Sequence, residues 1–397
     1  MSSLPAAPDA SLDRLRGAGR RFAIRENYLV MAVPYLNAAG ELRRGFIADP
    51  VNLLSETEVG PPGNHQMYFV GEEPHDLLGS SLVLVLGGGP NQTTIFDGHV
   101  SSFYFSHKLQ TPGGENRDYI DVCEKFEQHY RTIAGPAVHR FPNVEDAFLD
   151  VDFGTDMISP FCFPDTFSAH AELNGLNAGL KPLTVGMIGI GGTGAYTLDF
   201  VSKTPVKRIR LFDDDEFSVK NAFRSPGSST SADFRKLKVD LYAERYSSFR
   251  MDVVPHPVRI TRENGGLLED CDFVFVCVDK AASRAAIVEV LLALGKPFID
   301  VGMGLNKLSG LLEGGLRATL VDEHTREEVA RNTTLPTSAD ADDLYETNIQ
   351  IAELNALNAA LAVILFKRRY AFYGAAEPVY NVLMSLAKLK LFTQEVE

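Results

Sequence analysis

One stretch, Leu183–Glu216, decides the fold of this chain: it reads LTVGMIGIGGTGAYTLDFVSKTPVKRIRLFDDDE. It begins with a short apolar run, which is typical of a buried parallel strand. Glycines follow at G-x-G-G-x-G spacing, where the backbone can turn sharply and approach a phosphate. The next segment, Ala195–Ser202, is helical in pattern and offers free N–H groups to an anion. A second strand, Ile209–Phe212, ends in Asp213, whose carboxylate can accept hydrogen bonds from ribose hydroxyls. The stretch therefore predicts a nucleotide-binding β-α-β unit.

Length and composition indicate an ordinary globular chain. Its 397 residues suit two or three domains, and 45% of them are hydrophobic and 23% charged. The formal net charge of −14 argues against nucleic acid or an anionic membrane as a general partner. The cysteines show no C-x-x-C pair, so neither a structural zinc nor a disulfide framework is expected. They are Cys123, Cys162, Cys271 and Cys277. A reducing cytoplasm is the expected location.

Membrane insertion is not expected from the sequence. Met1–Gly19 lacks the apolar core of a signal peptide. The longest apolar tract, Leu354–Phe366, contains two asparagines and is too short to span a bilayer. We therefore interpret this tract as part of a buried helix.

The first third of the chain predicts strands followed by one good helix, an α+β pattern. Strand-like runs include Tyr28–Leu36, Gln66–Val70 and Leu82–Leu86, and Asp118–Thr132 has helical spacing. From Lys181 onward, strands and helices alternate, which is typical of a doubly wound α/β domain. The predicted organisation is a flexible arm over 1–20, a smaller α+β recognition domain over 21–142, a linker over 143–180, and the α/β domain over 181–397.

The residues after the second strand resemble a known family signature. Asp213–Arg224 reads DDDEFSVKNAFR and resembles the D-x-D-x-V-x-x-x-N-L-x-R signature of the ThiF/E1-like adenylating superfamily. The second acid, Asp215, and also Asn221 and Arg224 stand at the family offsets. Two later landmarks follow in order. Lys238 matches the lysine of a K-x-K-A segment, and Asp279 matches the aspartate that ends a D-x-V-x-x-C-x-D-N strand.

The resemblance implies a Rossmann-like adenylation domain that uses ATP and Mg²⁺. Positive groups suit this chemistry because charge accumulates on phosphate oxygens. The implied nucleotide-binding residues are Gly189, Gly191, Gly192, Gly194, Asp213, Asp215, Asn221, Arg224 and Lys238. The implied catalytic residues are Arg224, Lys238 and Asp279, and Asp279 is also the implied metal ligand.

The same resemblance implies activation of a ubiquitin-like carrier protein by adenylation of its C-terminal carboxylate. His65–Pro74 and Phe105–Lys108 resemble a domain fused ahead of ThiF modules in bacterial ubiquitin-like operons, so an E2-like acceptor is a further expected partner. ThiF-like domains usually pair, so a homodimer is expected. Two alternatives remain: an NAD-dependent oxidoreductase, since Asp213 also suits an NAD ribose, and adenylation of a small acid or a peptide.

The sequence departs from the family at two points. Phe167–Leu180 contains no arginine to serve a partner subunit, so such a group is absent or comes from elsewhere, with Arg20, Arg21 and Arg25 as candidates. In addition, no cysteine follows Cys277, so the usual E1 thioester lacks its nucleophile. We therefore predict that the enzyme stops at the acyl-adenylate. The alternatives are a thioester on Cys162 and an oxyester on Thr333, Thr334, Thr337 or Ser338.

Overall fold

The computed structural model describes residues 9–52, 59–96, 98–110, 114–141, 144, 159–162, 165, 167–168, 171–332, 335 and 349–396. The chain divides into two compact units, Met1–Ala178 and Gly179–Glu397. The division falls inside the segment 143–180, which the sequence predicts as a linker.

The first unit contains an antiparallel sheet and one long helix. Its described helices are α1 (Asp9–Gly17), α2 (Leu82–Val85), α3 (Val122–Arg140) and α4 (Asn174–Asn177). Its described strands are β1 (Phe22–Arg25), β2 (Tyr28–Leu36), β3 (Leu42–Pro50), β4 (Gln66–Val70), β5 (Gly89–Pro90), β6 (Phe103–Ser106), β7 (Leu109–Gln110) and β8 (Asn116–Arg117). Six of these strands pair in the order β1-β2-β3-β4-β6-β5, and β7 pairs with β8.

Strand β2 organises this first unit because every one of its residues is buried. Leu29 and Met31 belong to the core under α1 and α3. Tyr28 and Val30 belong to a smaller cluster that includes Phe96. Since successive side chains of a strand point to opposite faces, this alternation shows that both faces of the sheet are covered.

Two sequence predictions for this unit are wrong. The arm predicted over 1–20 includes helix α1, whose Leu12 and Leu15 are fully buried in the core, so it is not wholly flexible. The run Leu82–Leu86, predicted as a strand, is a helical turn. Ser81 caps it by accepting a hydrogen bond from the Val83 N–H at 3.2 Å, and the side chains that it buries stand at helical spacing.

The second unit alternates strands and helices. Its described helices are α5 (Gly192–Ser202), α6 (Val219–Ala222), α7 (Lys238–Tyr246), α8 (Ala281–Ala293), α9 (Arg326–Arg331) and α10 (Ala352–Arg369). Its described strands are β9 (Thr184–Ile188), β10 (Arg208–Phe212), β11 (Val253–His256), β12 (Phe273–Val276), β13 (Phe298–Leu308), β14 (Leu311–Val321), β15 (Val379–Ser385) and β16 (Lys390–Glu395).

These strands form one mixed sheet in the order β11-β10-β9-β12-β13-β14-β15-β16. The pairs from β11 to β13 are parallel, and those from β13 to β16 are antiparallel. The chain leaves β9 on one side toward β10 and later returns on the other side as β12. Ligands of such sheets bind outside the carboxyl ends of the strands at this reversal.

Helices cover both faces of the parallel strands. Leu198 of α5 and Phe366 of α10 pack in one core with Met187 of β9. Ile287 of α8 packs in a second core with Val276 of β12. This is the doubly wound α/β architecture that the sequence predicts, and that prediction is confirmed. Among the described residues, no helix is long and apolar enough to cross a membrane.

Candidate active site

A cavity of about 510 Å³ lies at the carboxyl ends of β9, β10 and β12, where the strand order reverses. Its size falls within the usual range for small-molecule sites. The cavity brings together all but one of the site residues that the sequence predicts, the exception being Gly194. The predicted residues that line it are Gly189, Gly191, Gly192, Asp213, Asp215, Asn221, Arg224, Lys238 and Asp279.

The glycines of the loop after β9 are required for different structural reasons. Gly189 has a φ of +87°, a left-handed conformation that favours glycine. A Cβ on Gly194 would lie 1.9 Å from the Gly189 carbonyl oxygen, so this glycine allows helix α5 to pack against the loop. A Cβ on Gly192 would lie 2.1 Å from Asn355 Nδ2. Gly191 differs, since a Cβ there would meet no described atom within 4 Å. Of these four glycines, Gly191 is therefore the one that lines the cavity and has open space at its Cβ position.

Asp213 lies at the end of β10 and is held by several donors. Its Oδ2 accepts a hydrogen bond from the Ile190 N–H at 2.7 Å, and its Oδ1 accepts one from the Asp215 N–H at 2.9 Å. Lys238 Nζ lies 3.2 Å from Asp213 Oδ1 and 2.6 Å from Asp215 Oδ2. This lysine lowers the pKa of the Asp215 carboxyl. The acid and the ammonium are thus positioned before any ligand arrives.

Asn221 lies on the short helix α6, and Arg224 follows two residues after the end of this helix. Asn221 Oδ1 accepts hydrogen bonds from the Ser218 N–H and hydroxyl at 2.9 and 2.6 Å, an arrangement that fixes the helix start. Burial lowers the pKa of the Arg224 guanidinium, and the Asp279 carboxylate opposes this shift. An arginine keeps its charge in proteins. Because its buried Nε has no partner among the described residues, Arg224 offers the cavity a charged donor in need of an acceptor.

Helix α10 carries two buried asparagines that sequence reasoning did not assign to the site. Asn355 accepts from the Thr193 hydroxyl at 2.9 Å and donates to the Arg224 carbonyl at 3.1 Å, so it links the glycine loop to the segment that bears the arginine. Asn358 lines the cavity itself. Their signal in the sequence is two amides, three residues apart, in the otherwise apolar tract Leu354–Phe366.

Sequence reasoning also missed Arg284 of α8. It is 3% exposed, lines the cavity, and pairs with the fully buried Asp300 through Nε and Oδ1 at 2.9 Å. A charged residue inside a strongly apolar helix was its only signal in the sequence.

The acidic side chains at the cavity fit a Mg²⁺ ion. Mg²⁺ usually takes one or two protein carboxylates together with phosphate oxygens. Asp279 borders the cavity with Arg224, and the carboxylates of Asp213, Asp214 and Asp215 lie within 4.8 Å of one another. Lys238 pairs with two of these three acids, Asp213 and Asp215.

The four cysteines lie in different environments. Cys123 and Cys271 are buried, and burial raises the pKa of the Cys271 thiol to about 11. Cys277 borders the cavity, with a pKa that burial raises to about 12, so it is a poor nucleophile. Cys162 is exposed. The candidate oxyester residues Thr333, Thr334, Thr337 and Ser338 lie outside the described residues.

The candidate arginines of the first unit have different environments. Arg20 is engaged within that unit, where it pairs with Glu127 at 2.7 Å and lies over the Tyr130 ring. Arg21 is exposed. A role for any of them in a partner subunit stays a prediction.

Two family models match separate parts of the chain. Residues 10–166 match a domain of unknown function (DUF6791), and residues 173–310 match the ThiF family. The chain is 29% identical over 153 residues to ubiquitin-like modifier-activating enzyme 5 of Dictyostelium discoideum, covering 34% of this chain and 39% of that protein. It is 29% identical over 155 residues to adenylyltransferase and sulfurtransferase uba4 of Emericella nidulans, covering 37% of this chain and 29% of that protein. The chain thus spans about two fifths or less of the length of these relatives.

Solved structures also resemble the chain, at low identity. The crystal structure of E. coli MccB with ATP has a TM-score of 0.43 and 16% identity, covering 56% of this chain and 66% of that one. The crystal structure of PaaA has a TM-score of 0.46 and 14% identity, covering 73% of this chain and 98% of that one. The match over residues 173–310 confirms the resemblance to the ThiF family that the motifs predict.

Proposed function

We propose that this protein is an E1-like, ATP-dependent adenylyltransferase that activates the C-terminal carboxylate of a ubiquitin-like protein. One observation carries the proposal: at the strand reversal, the cavity joins a glycine backbone at the start of helix α5 to cationic and acidic side chains, four residues of which matter most. These are Gly191, Arg224, Lys238 and Asp279. A triphosphate with a divalent ion needs such a set, whereas NAD has no triphosphate for these cations to clamp.

In this proposal, different residues of the cavity bind different parts of the nucleotide. Asp213 accepts hydrogen bonds from the ribose hydroxyls, and the N–H groups around Gly191 receive a phosphate at the start of α5. Arg224 offers a forked donor and Lys238 a compact charge, which suit different phosphate oxygens. Asp279 would hold Mg²⁺, which supplies positive charge to the phosphates when bound.

The reaction that this arrangement serves is an in-line displacement. A carboxylate oxygen of the carrier attacks the α-phosphorus of ATP. The bond between that phosphorus and the oxygen bridging to the β-phosphate breaks, and pyrophosphate leaves with the electron pair. The product is an acyl-adenylate, in which the carboxyl carbon can accept a nucleophile. Arg224 lowers the barrier because it stabilises charge on the phosphate oxygens in the transition state.

Further parts of the proposal concern partners and place. We propose a bacterial ubiquitin-like conjugation pathway, in which the first unit recruits the carrier or an E2-like acceptor. The support is the resemblance of that unit to domains fused ahead of ThiF modules. We also propose a homodimer and, from the cysteine content, a cytoplasmic location.

Nucleotide choice is the direct test of this proposal. A ligand that binds only the folded state raises its stability. ATP with Mg²⁺ is therefore expected to raise the unfolding temperature, with a smaller effect when EDTA is present. Stabilisation by NAD, with none by ATP and Mg²⁺, would favour the oxidoreductase instead. The mass in solution tests the homodimer: a single species near 43.5 kDa at all micromolar concentrations contradicts it.

A further inference from the structure

Two buried polar atoms at the cavity have no role in the phosphate-binding set. Nη1 of Arg284 and Oδ1 of Asn358 are buried and have no hydrogen-bond partner among the described residues. Arg284 is 3% exposed and Asn358 is fully buried, and both line the cavity. Buried polar groups in native proteins are nearly always paired, so the missing partner of each atom needs an explanation.

The orientation of Arg284 is fixed by its other nitrogens. Nε donates to Asp300 Oδ1 at 2.9 Å, and Nη2 donates to the Val278 carbonyl at 2.6 Å. Asp300 is fully buried and is also held by Arg317. The guanidinium therefore joins the segment just after β12 to Asp300 of β13, with Nη1 as its unused donor. A fixed cationic donor of this kind suits a carboxylate or carbonyl oxygen.

The orientation of Asn358 is fixed in the same way. Its Nδ2 donates to the Gly302 carbonyl at 3.0 Å, which assigns the amide and leaves Oδ1 as an acceptor. Gly302 lies two residues after Asp300 on β13, and both residues are paired with strand β14. One short segment of β13 thus anchors an unused donor and an unused acceptor beside the same cavity.

We propose that Arg284 and Asn358 hold the last residue of the substrate peptide. Nη1 of Arg284 donates to an oxygen of the terminal carboxyl group, and Oδ1 of Asn358 accepts the backbone N–H of the same residue. This inference rests on the proposed adenylation and goes further, because it selects a peptide terminus over a simple acid that lacks the N–H. The adenine amino group is the competing donor for Asn358.

Acyl-adenylate analogues test the inference without knowledge of the carrier. The probes are 5′-O-sulfamoyladenosines that carry N-acetylglycyl, N-acetyl-N-methylglycyl or 4-oxopentanoyl groups. The second replaces the N–H by N–CH₃ and the third replaces it by CH₂. Calorimetry on the wild-type protein is expected to show at least tenfold tighter binding of the first probe. Equal affinities for all three probes would overturn the inference, and this result needs no variant to fold.

Variants assign the effect to the two residues. Asn358→Leu is expected to abolish the discrimination among the probes and to leave the affinity for ATP unchanged. If it weakens ATP binding as much as probe binding, Asn358 contacts adenine and the inference fails.

Arg284→Lys is expected to weaken the binding of all three probes about tenfold, with ATP affinity unchanged. The matched control is Arg317→Lys, which alters the same Asp300 pair from the other side and is expected to change no affinity. If Arg317→Lys loses as much probe affinity as Arg284→Lys, the role of Arg284 is structural only and the inference fails.

The outcomes separate this inference from the function on which it rests. Binding of ATP and of all three probes with equal affinity contradicts the inference and leaves the adenylation proposal intact. Binding of neither ATP nor any probe contradicts the adenylation proposal, and the inference with it.

Discussion

Replacing Gly191 with alanine separates ligand binding from folding. A Cβ at this position meets no described atom within 4 Å, and the φ of −80° is ordinary for alanine. Gly191 is the N-cap of α5, a position where alanine is somewhat less favourable than glycine. Alanine also reduces the conformational entropy of the unfolded chain, which stabilises the folded state. These effects oppose each other, so we expect the free energy of unfolding to change by less than about 1 kcal/mol.

The same methyl group stands where the structure leaves room for a phosphate. Its presence keeps a phosphate from the backbone N–H groups at the start of α5. The loss of one hydrogen bond to a charged group costs about 1.5–3 kcal/mol. We therefore expect the Kd for ATP with Mg²⁺ to rise roughly tenfold to a hundredfold.

Gly194→Ala is the matched comparison within the same loop. Its Cβ would lie 1.9 Å from the Gly189 carbonyl oxygen, so the helix or the loop must shift. Overpacking of this kind costs about 3 kcal/mol. For a unit of this size we expect the unfolding temperature to fall by roughly 6–12 °C.

Calorimetry with ATP and Mg²⁺, together with thermal unfolding, gives both quantities for each variant. Wild-type affinity in Gly191→Ala would refute the assignment of its open side to the phosphates. A loss of stability in Gly191→Ala as large as in Gly194→Ala would refute the structural distinction between the two glycines.

Three further predictions address catalysis, pH and the covalent step. Arg224→Ala and Asp279→Ala are each expected to slow pyrophosphate release roughly a hundredfold, since such groups contribute about 3 kcal/mol to the transition state; a wild-type rate would remove that residue from the mechanism. Burial lowers the pKa of His129 to about 3. Between pH 6.5 and that value, the unfolded chain binds a proton at this histidine that the folded chain does not. The free energy of unfolding should therefore fall by about 1.4 kcal/mol for each unit by which the pH decreases. Urea unfolding at pH 7 and pH 5 measures this slope, which His129→Phe should reduce. Enzyme, ATP, Mg²⁺ and carrier should give no covalent adduct on a denaturing gel, and a thiol-labile adduct that is lost in Cys162→Ala would show a thioester instead.

The sequence predicts the strands around the cavity because each carries its own local signal. Tyr28–Leu36 and Gln66–Val70 are strands with the bounds expected from their apolar runs, and the elements of the second unit follow in the predicted order. Leu82–Leu86 is wrong because a short apolar run suits a strand or a helix equally, and the Ser81 cap decides between them.

The candidate site, too, could be predicted only in part from the sequence. Asp213, Arg224 and Lys238 could be found because they stand at fixed offsets after a recognisable strand, and the structure brings them to one cavity. Arg284 and Asn358 could not be found in this way. Their unused hydrogen-bonding atoms exist only because Asp300 and the Gly302 carbonyl, which are distant in sequence, hold the rest of each side chain.

Carrier-dependent exchange of pyrophosphate into ATP tests the central claim most directly. The purified protein is incubated with ATP, Mg²⁺, labelled pyrophosphate and, one at a time, each small protein encoded beside its gene. The account predicts rapid exchange with one of these proteins, none without it, and none when its C-terminal residue is removed or its carboxyl group is amidated. Exchange that is absent with every such protein at saturating ATP, or that is unaffected by amidation, would contradict the claim that this cavity adenylates a protein carboxylate.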